Sequence, residues 1–124
     1  MKNKRILLAE DFDKFGRDLK EDLEKHGFSV HWIASGLGIL PEIITSHYDI
    51  VIMDIGESDY KNRPFGLAEK VRDAQPSALL IGQTAYREIP CREEAENYFD
   101  KVYSKFESEK LPKRIKKLLE YQFI

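Results

Sequence analysis

The sequence predicts a doubly wound α/β fold, a parallel sheet covered by helices on both faces, and three observations predict it. Short runs rich in Ile, Val and Leu alternate five times with longer amphipathic stretches. The runs are apolar at nearly every position, as expected of strands buried on both faces. The chain has 124 residues, enough for one such core without disulfide or metal support. Right-handed crossovers make the sheet doubly wound, and its ligand site then lies at the carboxyl ends of the strands.

The elements follow in order. Residues 5–9 form the first buried strand. A helix over 12–26 carries Phe12, Phe15, Leu19 and Leu23 at helical spacing, and Gly27 closes it. The second strand is 28–33. A helix over 37–47 has Pro41 in its first turn, where proline fits. Residues 49–53 are a continuous apolar strand, followed by a polar loop at 56–64 and a short helix at 65–74. The fourth strand is 77–82. Residues 86–97 are charged and poorly patterned, with at best one short helix at 92–97. A short fifth strand covers 101–103. The last helix, 109–121, sets Leu111, Ile115, Leu118 and Leu119 on one face.

Composition narrows the function classes. Apolar residues are 42% and charged residues 34%, a globular balance. The net charge of -2 gives no reason to expect nucleic-acid binding. No apolar stretch approaches the ~20 residues of a membrane span. The basic start is followed by only a short apolar run and then Glu10-Asp11, so no signal peptide is expected and the expected location is cytoplasmic. The single Cys91 excludes an internal disulfide or a Cys-rich zinc site, and no base stands near it in sequence. His26, His31 and His47 lack ligand spacing and read as structural. Trp32 and the seven Phe read as core or half-buried aromatics. The run Lys113-Arg114-Ile115-Lys116-Lys117 reads as a solvated helix face. One domain is expected to fill residues 1–124, with no output domain.

The chemistry belongs at the strand ends. Strand one ends in Glu10-Asp11 and strand three in Asp54; Thr84 follows strand four and Lys105 follows strand five. Taken alone, Asp11 or Asp13 would be a helix N-cap, Thr84 a turn residue and Lys105 a surface lysine. Together they bring three carboxylates, a hydroxyl and an ammonium to one edge. Crowded carboxylates raise a pKa or recruit a divalent cation. Mg²⁺ takes one or two carboxylates plus waters and phosphate oxygens. Lys105 and Thr84 suit phosphoryl oxygens, and an aspartate beside Mg²⁺ can accept a phosphoryl group.

These segments (Ile6-Leu7-Leu8-Ala9-Glu10-Asp11, Asp49-Ile50-Val51-Ile52-Met53-Asp54, Gln83-Thr84-Ala85 and Lys105) resemble the receiver domains of bacterial two-component response regulators, in order and in spacing, over the whole chain. The resemblance implies the flavodoxin-like, CheY-like sheet with strand order 2-1-3-4-5. It implies that Asp54 accepts a phosphoryl group from the phosphohistidine of a sensor histidine kinase or histidine phosphotransfer protein. Glu10, Asp11, Asp54 and the Gly56 carbonyl would hold Mg²⁺, and Thr84 and Lys105 would contact the phosphoryl oxygens. Phosphorylation would then switch binding to a downstream protein, without substrate turnover and without nucleic-acid or membrane partners.

The sequence departs from the family at several points. The loop after Asp54 is about four residues longer, and Glu57 and Asp59 add carboxylates that either help hold a metal or repel the phosphodonor. The family's Lys-Pro pair reads Lys105-Phe106. The switch-aromatic position is Val102, with Tyr103 next to it, and the fourth helix is eroded. These departures support an alternative: a receiver-like module that binds its partner independently of phosphorylation. A less favoured alternative is a haloacid-dehalogenase-like phosphatase using Asp11, since Asp11-Phe12-Asp13 resembles that family's Asp-x-Asp. The later acidic pair of that family is missing, and Asp54 would have no role.

Overall fold

A computed structural model describes residues 3–86 and 92–121. Five parallel strands form one sheet in the order β2-β1-β3-β4-β5: β1 Arg5–Ala9, β2 Ser29–Ile33, β3 Ile50–Asp54, β4 Leu79–Thr84 and β5 Lys101–Ser104. The helices are α1 Asp13–Lys25, α2 Ile39–Thr45, α3 Gly66–Ala74, α4 Arg92–Glu96 and α5 Leu111–Tyr121. The predicted fold and strand order are therefore observed.

Strand alternation builds two cores. Ile6, Leu8, Ile50, Ile52, Leu79 and Ile81 face α1 and α5, where Leu19, Leu23, Leu111, Ile115 and Leu119 cover them. Leu7, Val51, Met53, Leu80 and Val102 face the other way, against Ile39, Ile43, Leu67, Val71 and Ala95 of α2, α3 and α4. Apolar side chains on both faces explain why the strands read as continuous runs.

The ends of the elements differ from the sequence reading for local reasons. α1 starts at Asp13, because Phe12 is extended (φ -88, ψ 106) and is the N-cap residue with no side-chain cap bond. Neither Asp11 nor Asp13 is the N-cap residue. Gly27 follows the C-cap His26 at φ 93, a left-handed position that favours glycine. β4 runs on to Thr84, since Asp54 pairs with Gln83 and Thr84 with Ser104. α2 ends at Thr45 because Ser46 is extended, and a 3-10 turn at Gly36–Gly38 precedes it. Another 3-10 turn, Lys105–Lys110, kinks at Glu107 and delays α5 to Leu111.

Phe12 and Phe106 correct the expectation that every Phe is core or half-buried: they are 65% and 59% exposed, each past a strand end and ahead of the helix that follows. Cys91 and Phe123 lie outside the described residues. The histidines have the expected structural partners. His26 Nδ1 lies 2.9 Å from the Asp22 carbonyl, His31 Nδ1 3.0 Å from the Tyr48 hydroxyl, and His47 Nε2 3.4 Å from an Asp49 oxygen.

The long loop is an ordered device. Tyr60 and Arg63 pair antiparallel across Lys61 and Asn62, both left-handed (φ 50 and 61), a hairpin turn of the primed kind. Phe65 is also left-handed (φ 60). Its N–H donates to Asp59 Oδ1 at 3.1 Å, and its ring stacks on Tyr98 at 4.9 Å.

Candidate functional site

The carboxyl edge carries the predicted residues at the ends of four strands, β1, β3, β4 and β5. Glu10 follows β1 and is 1% exposed, held by its N–H to the Ile33 carbonyl (3.0 Å) and by Trp32 Nε1 donating to its carbonyl (2.9 Å). Asp54 ends β3, in the centre of the sheet. Its Oδ1 accepts from the Gly56 N–H at 2.7 Å, which opens the short 3-10 turn Ile55–Glu57. Behind this turn, Gly82 of β4 leaves room for Ile55: a Cβ there would sit 2.9 Å from Ile55 Cγ1.

Lys105 closes the group. Its ammonium lies 2.6 Å from Glu10 Oε1 and 2.7 Å from Asp54 Oδ2, while it also sits 5.2 Å from the Phe15 ring centroid. Burial pushes the ammonium pKa down, but the Asp54 and Glu10 carboxylates outweigh that and hold it above the usual lysine value. The Lys105-Phe106 peptide is trans; no cis bond occurs among the described residues.

A second carboxylate pair flanks the first. The Asp11 and Glu57 side chains are close enough to perturb each other. That proximity lowers the Asp11 pKa, with help from Glu10. Burial raises the Glu57 pKa, reinforced by Asp11, Asp54 and Glu10. Of the two acids flagged in the loop, only Glu57 therefore reaches the site; Asp59 is used up by the Phe65 N–H.

Thr84 stands at the end of β4, where its Oγ1 accepts from the Tyr86 N–H at 3.3 Å. Strand alternation sets Thr84 and Val102 on the α3–α4 side and Tyr103 on the α1–α5 side, where Arg114 covers its ring at 4.7 Å. Tyr103 therefore does not stand in for a switch aromatic beside Thr84.

Sequence reasoning passed over Gln83. It is 2% exposed, lies in register with Asp54 and with Tyr103, and its Nε2 has no hydrogen-bond partner. The predicted strand stops at residue 82, and only the extension of β4 to Thr84 places Gln83 beside Asp54. The other partnerless buried side-chain atom among the described residues is Glu57 Oε2.

The donor set fits a hard divalent cation: Glu10, Asp11, Asp54 and the Gly56 carbonyl are all oxygen donors, and Glu57 Oε2 is buried without a partner. Among the described residues no three acidic or imidazole groups already form a cage, since Lys105 stands between Glu10 and Asp54.

No family model matches the chain. Curated relatives match part of it, two of them as follows. The transcriptional activator protein IrlR of Burkholderia pseudomallei is 30% identical over 77 residues, 62% of this chain and 33% of the relative. The response regulator protein PmrA of Pseudomonas aeruginosa is 35% identical over 52 residues, 42% of this chain and 24% of the relative. The chain thus spans about a third or less of their length. Among solved structures, a CheY-like response regulator receiver domain protein from Methanospirillum hungatei superposes with TM-score 0.83 at 24% identity, over 97% of this chain and 96% of that one. The response regulator protein TrrA of Thermotoga maritima, in complex with Mg²⁺ and BeF, gives TM-score 0.77 at 28% identity over 93% and 98%.

Proposed function

We propose that this chain, which has the CheY-like receiver fold of response regulators, carries a phosphoryl group on Asp54 in a two-component phosphorelay. The observation that supports this reading best is the grip of Lys105 on Asp54 and Glu10 at the centre of the strand ends. Each Asp54 oxygen already holds one donor, the Gly56 N–H or the Lys105 ammonium, so the carboxylate is oriented while lone pairs remain for attack.

The donor is a phosphohistidine of a sensor kinase or a phosphotransfer protein. An Asp54 oxygen bonds to phosphorus, the phosphorus–nitrogen bond breaks, and the leaving imidazole takes a proton from water. Such transfer is mostly positioning and charge neutralisation. Lys105 supplies a fixed positive charge at the acceptor, and Thr84 gains an anionic partner for its hydroxyl. Glu10, Asp11, Asp54 and the Gly56 carbonyl would hold Mg²⁺, which would supply the remaining neutralisation of the phosphoryl oxygens. The magnesium complex of TrrA, a protein of the same fold, supports a role for Mg²⁺.

Phosphorylation adds roughly one to two negative charges. Lys105 and Thr84 rearrange to meet them and change the surface offered to a cytoplasmic partner protein. With Val102 at the switch position, this rearrangement proceeds without an aromatic rotation. The described residues include no helix long and apolar enough to cross a membrane.

The test is incubation with Mg²⁺ and acetyl phosphate, read by intact mass. A single phospho-adduct on the wild type, absent from Asp54→Asn, is expected. No wild-type adduct, or one that persists in Asp54→Asn, overturns the reading. Partner binding indifferent to both would leave the phosphorylation-independent module in its place.

A further inference from the structure

The described residues leave two buried side-chain polar atoms without a partner, Glu57 Oε2 and Gln83 Nε2. Native proteins satisfy nearly all such groups, so each exception asks for a cause. Both lie at the same site. Glu57 neighbours Asp11 and feels the charges of Asp54 and Glu10. Gln83 is the register neighbour of Asp54 on β4, and strand alternation puts both side chains on the face shared by Ile52 and Ile81.

The two atoms are also opposite in kind. An ionised carboxylate oxygen is an acceptor only and suits a cation. An amide nitrogen is a donor only and suits an anion. A site that takes a divalent cation and a phosphoryl group together needs one of each.

We propose that Glu57 is an additional oxygen ligand for the divalent cation, and that the Gln83 amide donates to the oxygens carried on Asp54. This rests on the reading of Asp54 as phosphoacceptor, and extends it with two residues that the receiver resemblance does not assign. It also resolves the ambiguity of the long loop: Glu57 attracts the cation instead of repelling the donor. The unmet atoms burden the free protein, and the bound ligands relieve them.

Opposite movements of stability and affinity test this. Glu57→Gln and Gln83→Leu are compared with wild type in chelator-treated buffer, by thermal melting and by titration with Mg²⁺ and then beryllofluoride. The single Trp32, bonded to the Glu10 carbonyl, gives the fluorescence readout. Both variants are expected to melt at or above the wild-type temperature without ligand. Glu57→Gln is expected to weaken Mg²⁺ binding about tenfold. Gln83→Leu is expected to keep Mg²⁺ affinity and weaken beryllofluoride binding about tenfold.

Unchanged affinities in the variants, as buried waters partnering these atoms would give, overturn the inference while the phosphoacceptor reading stands. A wild type that binds neither Mg²⁺ nor beryllofluoride overturns both. Glu57→Asp and Gln83→Met repeat the comparison with smaller changes of shape, so that poor folding of one variant leaves the question answerable.

Discussion

Lys105 offsets part of the negative charge of the site. Replacing it with Met strands the buried Glu10 carboxylate and unpairs Asp54. We expect a loss of about 3 kcal/mol in chemical denaturation, partly recovered by adding Glu10→Gln. The pH dependence follows from the raised pKa of the ammonium. Its pairing is fully present below the unfolded lysine value of about 10.4, and that stability is lost as pH rises through the higher folded value. Tyr48 behaves alike: burial and then Glu42 push its phenol up to about 12. In an absorbance titration it should ionise late, with stability falling between about pH 10 and 12. Asp54 and Lys105 were legible because strand ends point to them. Gln83 was not, because the predicted strand stops at residue 82 and its register with Asp54 exists only once β4 runs on to Thr84.

At the scale of elements, the loop and turns after the strands set the site. Gly82 is the seat of Ile55, one residue past the phosphoacceptor, and an added Cβ would also meet Phe99 at 3.1 Å. Gly82→Ala should cost about 1–3 kcal/mol and slow adduct formation from acetyl phosphate, because Ile55 moves with Asp54. The hairpin at Lys61-Asn62 is separable. Lys61 is left-handed at φ 50, so Lys61→Gly should stabilise by about 0.5–1 kcal/mol in a melting experiment and leave adduct formation unchanged. The five strands and α1 were legible from apolar runs and the Gly27 stop. The 3-10 turn Lys105–Lys110 was not, since its kink at Glu107 has no periodic signature. The hairpin was hidden too, because Lys and Asn at left-handed angles lack the glycine that marks such turns.

The whole molecule is a sheet with two cores and one charged edge. Burial sits on its faces, which frees the carboxyl edge to carry groups that stability alone would not choose. The fold was the most legible level, because apolar runs buried on both faces admit few arrangements. Linkage connects this scale to the site: Mg²⁺ at a hundredfold its dissociation constant should add about 2.7 kcal/mol to unfolding stability. The gain should shrink in Asp54→Asn. The central claim is that the phosphoryl group is carried on Asp54, and hydride trapping tests it most directly. Borohydride reduces an aspartyl-phosphate to homoserine, which tandem mass spectrometry locates after treatment with Mg²⁺ and acetyl phosphate. Homoserine at position 54 alone is the predicted result. Homoserine at position 11, as a phosphatase nucleophile would leave, or at neither position, would contradict the account.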